Sequence, residues 1–251
     1  MEKNLYYFVS DVHLGLHHKG PEERERKFSA FLRGLPPNTK ALFLLGDIFD
    51  FWYEYKNVIP RQFTRTLGAL AQLCDRGVEV YFFNGNHDIW TYGYFEQELG
   101  IKIKRQPYVT ELEGKRFCLG HGDGLGAGDT GYKFLKSVFN NKFLQFLFSG
   151  IHPRWAFSLA HTWSKHNRLA HGEPGRDQQG GFRGENERIV QYAEAFQQNS
   201  PLPVDYFIFG HFHYKTHMKL KSGGEIYILG EWIYKYDYLV FDGETLVSAT
   251  V

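Results

Sequence analysis

The chain has 251 residues, enough for one large α/β domain with a substantial core. Lysine and arginine total 29 and aspartate and glutamate 28, a formal net charge of +1, so no global field argues for a nucleic-acid partner. Two cysteines do not suggest a disulfide scaffold, an N-terminus that runs straight into a strand is not expected to be a signal peptide, and no stretch reaches the roughly 20 apolar residues of a membrane span. A cytoplasmic protein is expected, with free, buried Cys74 and Cys118.

In chain order, Leu5 to Ser10 is a predicted strand ending at Asp11-Val12-His13. Glu22 to Arg33 is a predicted helix with Phe28, Phe31 and Leu32 on one side. Ala41 to Leu45 is a strand ending at Gly46-Asp47. Gln62 to Arg76 is a helix stopped by Gly77. Val78 to Asn84 is a strand ending at Gly85-Asn86-His87-Asp88, and Tyr92 to Leu99 is a short helix. Arg116 to Leu119 is a strand ending at Gly120-His121-Gly122-Asp123.

Gly131 to His171 has a different composition. It holds nine aromatics and six basic residues and no Asp or Glu. It is predicted as an inserted helical hairpin, broken at Ser149 to Pro153, with a loop over Gly172 to Gly184 behind it. Tyr206 to Phe209 is the next strand and ends at Gly210-His211-Phe212-His213. His217 to Leu220, Glu225 to Leu229, Tyr236 to Phe241 and Thr245 to Val251 are strands, with hairpin turns at Ser222-Gly223-Gly224 and Asp242-Gly243-Glu244. Strands alternating with helices imply layered α/β structure, with ligands beyond the carboxyl ends of the strands.

Seven candidate metal ligands stand at those ends: Asp11, His13, Asp47, Asn86, His121, His211 and His213. One residue separates Asp11 from His13, and His211 from His213, so an extended segment points each pair the same way. Asp47 is the natural bridging carboxylate, able to offer an oxygen to each of two ions. Carboxylate, amide and imidazole together suit manganese, iron or zinc; calcium or magnesium would not need four histidines. Gly46, Gly85, Gly120 and Gly210 are expected to supply positive φ and close backbone approach. Two divalent ions in such a site sit about 3.5–4 Å apart and make a shared water acidic, so the constellation points to hydrolysis of a phosphoester.

The five blocks, in this order, resemble the calcineurin-like metallophosphoesterases. The resemblance covers the whole of 1–251 as one domain. It implies a two-sheet sandwich flanked by helices. One ion would be held by Asp11, His13, Asp47 and His213, the other by Asp47, Asn86, His121 and His211. His87 would protonate the leaving oxygen or bind phosphate, with Asp88 orienting it; the family more often has Gly-Asn-His-Glu in this block.

Closer blocks narrow the likeness. Ser10-Asp11-Val12-His13-Leu14, Gly46-Asp47-Ile48-Phe49-Asp50-Phe51-Trp52 and His121-Gly122-Asp123-Gly124-Leu125 with Asp129 and Tyr132 resemble the UDP-2,3-diacylglucosamine hydrolases of lipid A synthesis. That resemblance implies cleavage of a lipid-linked UDP-sugar at its pyrophosphate, giving UMP and a diacylglucosamine 1-phosphate. It places a helical cap at 131–171, and substrate contacts at Asn86, His87, Asp129, Tyr132, Ser164, Asn167, Arg168 and His211. Arg168 or His171 would replace the family's cap lysine, and the best-known members carry Arg where His87 stands. Phe139, Phe143 and Phe146 would face the acyl chains, and the basic residues would meet anionic headgroups at the inner membrane surface. The alternatives are a soluble phosphatase or phosphodiesterase of the same fold, acting on nucleotides or phosphoproteins, and a non-catalytic scaffold. A scaffold should lose ligands, and this chain keeps all seven.

Overall fold

Apolar runs bounded by turns build two sheets. The computed structural model describes residues 3–18, 20–128, 130–159, 162 and 182–251. In chain order its elements begin with β1 (Leu5–Val9), α1 (Pro21–Gly34), β2 (Thr39–Leu45), α2 (Thr64–Asp75), β3 (Glu79–Phe83) and α3 (Tyr94–Leu99). There follow β4 (Lys102–Lys104), β5 (Tyr108–Leu112), β6 (Lys115–Gly120), α4 (Thr130–Asn140), α5 (Lys142–Ser149) and a helical stretch, α6, at 153–159. The C-terminal third holds α7 (Arg188–Asn199), β7 (Tyr206–Phe209), β8 (Thr216–Lys219), β9 (Glu225–Ile228), β10 (Asp237–Phe241) and β11 (Leu246–Thr250).

One sheet has six strands in the order β11-β10-β1-β2-β3-β4, and the other five in the order β5-β6-β7-β9-β8. β1 to β4 are parallel, as are β6, β7 and β9. Alternate residues of each central strand serve different layers. Ala41, Phe43 and Leu45 of β2 meet Phe117, Leu119 and Ile208 between the sheets. Leu42 and Leu44 pack outward among Phe28, Leu32, Leu67, Leu70 and Leu73 from α1 and α2. On the far side, Phe207, Phe209, Ile226 and Ile228 are covered by Ile189, Val190 and Ala193 of α7. The molecule is thus a two-sheet sandwich with helices on both outer faces, the expected architecture. Cys74 and Cys118 are free thiols.

β4, β5 and α7 have no counterpart among the predicted elements. β4 is three residues on the sheet edge, and β5 follows the break at Pro107. The expected hairpin also differs: an extra break falls at Asn141, whose side-chain oxygen accepts the amides of Phe143 and Leu144 and caps α5. Of the predicted hairpin, residues 160–161 and 163–171 lie outside the described residues, as do 172–181 of the predicted loop.

The loops at the strand ends are tied together by buried polar groups. Asp88, fully buried, accepts four backbone amides: Asp47 and Gly85 on Oδ1, Ile48 and Phe49 on Oδ2. This carboxylate therefore fixes the turn after β2 to the turn after β3. Arg24, buried in α1, donates to the carbonyls of His13 and His18, and the amide of Trp232 donates to the carbonyl of Asp11. Asp88→Ala would strand four amides away from water. We expect it to lower unfolding free energy by at least about 3 kcal/mol in urea titration. A near-wild-type midpoint would show that the loops hold themselves.

Candidate active site

The sheets end side by side, and their C-terminal loops converge. Asp11 and His13 follow β1, Asp47 follows β2, and Asn86, His87 and Asp88 follow β3, all in the first sheet. His121 follows β6, and His211 and His213 follow β7, in the second. Three overlapping groups of donor atoms lie within 4.8 Å of one another: Asp11 with His13 and His213, Asp47 with His121 and His211, and His13 with Asp47 and His87. Each of the first two falls within one of the two sets expected from the sequence, the first without Asp47 and the second without Asn86. The third adds His87, which the sequence reading kept apart from the metals.

The pairs converge by a different route from the one expected. Asp11, His13, Asp47, His211 and His213 have φ of 54°, 48°, 52°, 73° and 55°. Asp-x-His and His-x-His are left-handed turns here, so simple strand alternation does not aim their side chains. Non-glycine residues held there cost about 1–3 kcal/mol each, a strain typical of functional loops. Among the four turn glycines only Gly46 has positive φ, at 85°. Gly85, Gly120 and Gly210 are needed for space instead. A Cβ at Gly85 would lie 2.1 Å from Asp47 Oδ1, and one at Gly210 2.6 Å from Asp11 Oδ2.

The carboxylates divide their oxygens between protein and site. Asp11 Oδ2 accepts the Ser10 hydroxyl at 2.6 Å and the His211 amide at 2.9 Å. Its Oδ1 has no hydrogen-bond partner and faces His213 Nε2 at 3.6 Å. Asp47 Oδ1 accepts the His87 amide at 2.9 Å. Its Oδ2 stands between the two donor groups, 3.8 Å from His13 Nε2 and 3.4 Å from His121 Nε2. A bridging carboxylate would occupy that position. Asn86 Oδ1 lies 3.2 Å from His121 Nε2 and 2.9 Å from His211 Nδ1.

The electrostatics fit cations. Burial raises the Asp11 carboxyl to about 7, against the pull of His121 and with a further push from Asp47. Burial also works against charge on Asp47, but His121 and His87 hold it well below the usual carboxylate range. His13 and His211 are lowered to about 4 by burial, which leaves them in the neutral, ligating form. His121 donates Nδ1–H to the carbonyl of Leu45 at 2.9 Å, which orients the ring and turns Nε2 toward Asp47 and Asn86. Despite burial, the Asp47 carboxylate raises its pKa to about 10, so a cation would compete with that proton. Buried atoms without partners, Asp11 Oδ1 and His13 Nε2, are places where metal bonds would go.

Asp50, to which the sequence reading gave no role, stands behind two of the histidines. Its Oδ1 lies 3.4 Å from His13 Nδ1 and 3.7 Å from His87 Nδ1, and its carbonyl accepts the His87 Nδ1–H at 3.0 Å. Asp50 therefore orients His87. Asp88 was expected to do so, but its oxygens are engaged by the four amides of the neighbouring turns. The only hint in the sequence was a second acid three residues after Asp47. His87 is the outward member of the group, its side chain 22% exposed against 1% for His13.

Tyr132 lies at the rim, its ring 6.4 Å from that of His211 and its hydroxyl on the buried Asp123. The other substrate positions expected from resemblance, Asp129, Ser164, Asn167 and Arg168, lie outside the described residues. The helical segment beside the site rests on the loops after β2 and β3. Trp90 contacts Phe139 and Phe148, Tyr53 contacts Phe148, and Phe51 contacts Phe157. Phe139 thus packs against Trp90. Outward-facing are Phe134, Phe143, Phe146 and Trp155, 72%, 67%, 72% and 66% exposed. Aromatic side chains this exposed contribute nothing to the core.

A UDP-2,3-diacylglucosamine hydrolase of Porphyromonas gingivalis is 39% identical over 98% of this chain and 97% of its own. One of Neisseria meningitidis is 28% identical over 96% of this chain and 95% of its own. One of Aeromonas salmonicida is 35% identical over 56% of this chain and 54% of its own. The family description Calcineurin-like phosphoesterase matches residues 6–215, which include all seven candidate ligands. The chain belongs to the calcineurin-like phosphoesterases.

Proposed function

We propose that this protein is a metal-dependent hydrolase that cleaves the pyrophosphate of UDP-2,3-diacylglucosamine, giving UMP and 2,3-diacylglucosamine 1-phosphate in lipid A synthesis. One observation carries the reading: a buried metal-type cluster stands beside helices that show large aromatic side chains to solvent. A phosphoester needs the cluster alone. Two acyl chains need an apolar face as well, at about 0.8 kcal/mol per buried methylene. The full-length likeness to the Porphyromonas gingivalis hydrolase supports the same substrate.

In this reading Asp11, His13, Asp47 and His213 hold one divalent ion, and Asp47, Asn86, His121 and His211 hold the other, with manganese as the preferred metal. Such ions supply an acidified water and neutralise phosphoryl charge. His87, oriented by Asp50, gives its proton to the leaving phosphate oxygen or binds that phosphate. Tyr132 bounds the nucleotide or sugar, with Asp129, Ser164, Asn167 and Arg168 contributing from the rest of the cap. Helices α4 to α6 form part of that cap, inserted in a single domain. No described helix is long and apolar enough to cross a membrane. Peripheral contact of a cytoplasmic enzyme with the inner membrane would run through the exposed aromatics, with Lys133, Lys142 and Arg154 beside them.

Three outcomes are expected. Chelation should abolish hydrolysis, and metal counting should show Asp47→Ala losing both ions while His213→Ala loses mainly one. Equal two-ion occupancy in both variants would rule out the bridge. His87→Ala should keep its metal and lose turnover roughly 10²–10⁴-fold on the UDP-lipid, with a smaller loss when the leaving group is nitrophenolate. Loss of metal from this variant would make His87 a ligand instead of a proton donor. Replacing Phe134, Phe143 and Phe146 together by serine should weaken turnover of the diacylated substrate and binding to anionic vesicles, with a small phosphodiester unaffected. Equal losses on both substrates would favour a soluble phosphodiesterase.

A further inference from the structure

Helix α4 buries none of its side chains. An 11-residue helix is marginal by itself, so contacts beyond the packing of Phe139 on Trp90 must hold it over the site. Four contacts do so. Lys133 Nζ donates to the carbonyl of Gly126 at 2.6 Å. Trp90 Nε1 donates to the carbonyl of Phe139 at 3.0 Å. The Tyr132 hydroxyl donates to Asp123 Oδ2, and Lys136 Nζ donates to the same oxygen at 2.5 Å. Tyr132 and Lys136 are four residues apart and share one helix face.

Asp123 is the common point. It is 1% exposed and stands two residues beyond the candidate ligand His121. From the core side, Gln106 Nε2 donates to its Oδ1 at 2.6 Å and to its carbonyl at 2.9 Å, while Gln106 Oε1 accepts the Gly122 amide at 2.7 Å. Gly124, next in the chain, takes a left-handed φ of 69° that turns the loop beneath the helix. A single buried carboxylate is therefore fixed to the second sheet on one side and takes two side chains of α4 on the other. Lys136 makes the direct ion pair with it at 2.5 Å, and a buried carboxylate that loses a paired cation is destabilised far more than an exposed one. The side chain of Lys136 is 30% exposed, so substituting it leaves the core intact.

We propose that Lys136 is a positioning residue for substrate recognition: through Asp123 it seats α4 on the His121 loop, and so holds Tyr132 and the apolar face of α4 where the lipid-linked substrate binds. This rests on the lipid-linked reading of the site. Asp123 thereby links the part that recognises the lipid to the part that performs the chemistry.

The test is Lys136→Met in the full-length, manganese-loaded protein, with Lys136→Arg as the conservative control. Hydrogen exchange of the Thr130–Asn140 amides should speed up in Lys136→Met and return toward wild type in Lys136→Arg. KM for UDP-2,3-diacylglucosamine should rise roughly tenfold with kcat little changed, as expected for a lost charge-assisted contact. Two bound ions and unaltered kcat/KM on a bis-nitrophenyl phosphodiester should accompany this. A merely structural role would lower both substrates together. Unchanged exchange in α4 overturns the proposal whatever the substrate, and so does an unchanged KM. The lipid-linked reading is judged separately, by whether the wild-type protein hydrolyses the diacylated substrate at all.

Discussion

The rest of this structure depends on one electrostatic constraint: lone pairs from two buried carboxylates, an amide and four imidazoles face a common space. Asp11, His13, Asp47 and His121 are all 1% exposed or less. Withdrawing a carboxylate from water costs several kcal/mol unless something opposite in charge replaces the water. Among the described residues no arginine or lysine does so: Asp11 Oδ1 and His13 Nε2 lack any hydrogen-bond partner there. Divalent cations satisfy such an array, and the cost of building it explains why so much of the surrounding structure serves to hold it.

That support comes from both sheets. Asp11 and His13 leave the first sheet and meet His213 from the second; Asp47 leaves the first and meets His121 and His211 from the second. A slide of one sheet over the other would therefore take both donor groups apart. The layer of Phe8, Phe43, Phe117, Ile208 and Phe241 between the sheets resists that slide. It also helps offset five left-handed ligands, together of order 5–15 kcal/mol of local strain. Asp88, Arg24 and the Trp232 amide act at shorter range and clamp the strained turns from outside the site.

How much of this could be read in the sequence follows from how local each feature is. Apolar runs followed by Asp, Asn or His mark strand ends, so the five central strands and the set of converging ligands were legible. The turn shape was not: Asp-x-His looks extended until the left-handed φ of Asp11 and His13 is seen. Gly85 and Gly210 were read as conformational, whereas their importance lies in the 2.1 Å and 2.6 Å that a Cβ would leave to Asp47 and Asp11. Asp50 and Gln106 act on residues 37 and 17 positions away in the chain, a distance no local pattern spans. The role expected of Asp88 failed for the same reason, since three of its four amide donors come from the turn after β2. In α4 and α5 the composition was legible, but which aromatics face outward was not: Phe139 packs against Trp90 while Phe134, Phe143 and Phe146 project into solvent.

The most direct test of the central claim is anomalous X-ray scattering from crystals grown with manganese. Two peaks are expected on either side of Asp47 Oδ2, one among Asp11, His13 and His213, the other among Asn86, His121 and His211. A single peak, or none within bonding distance of Asp47, would contradict it.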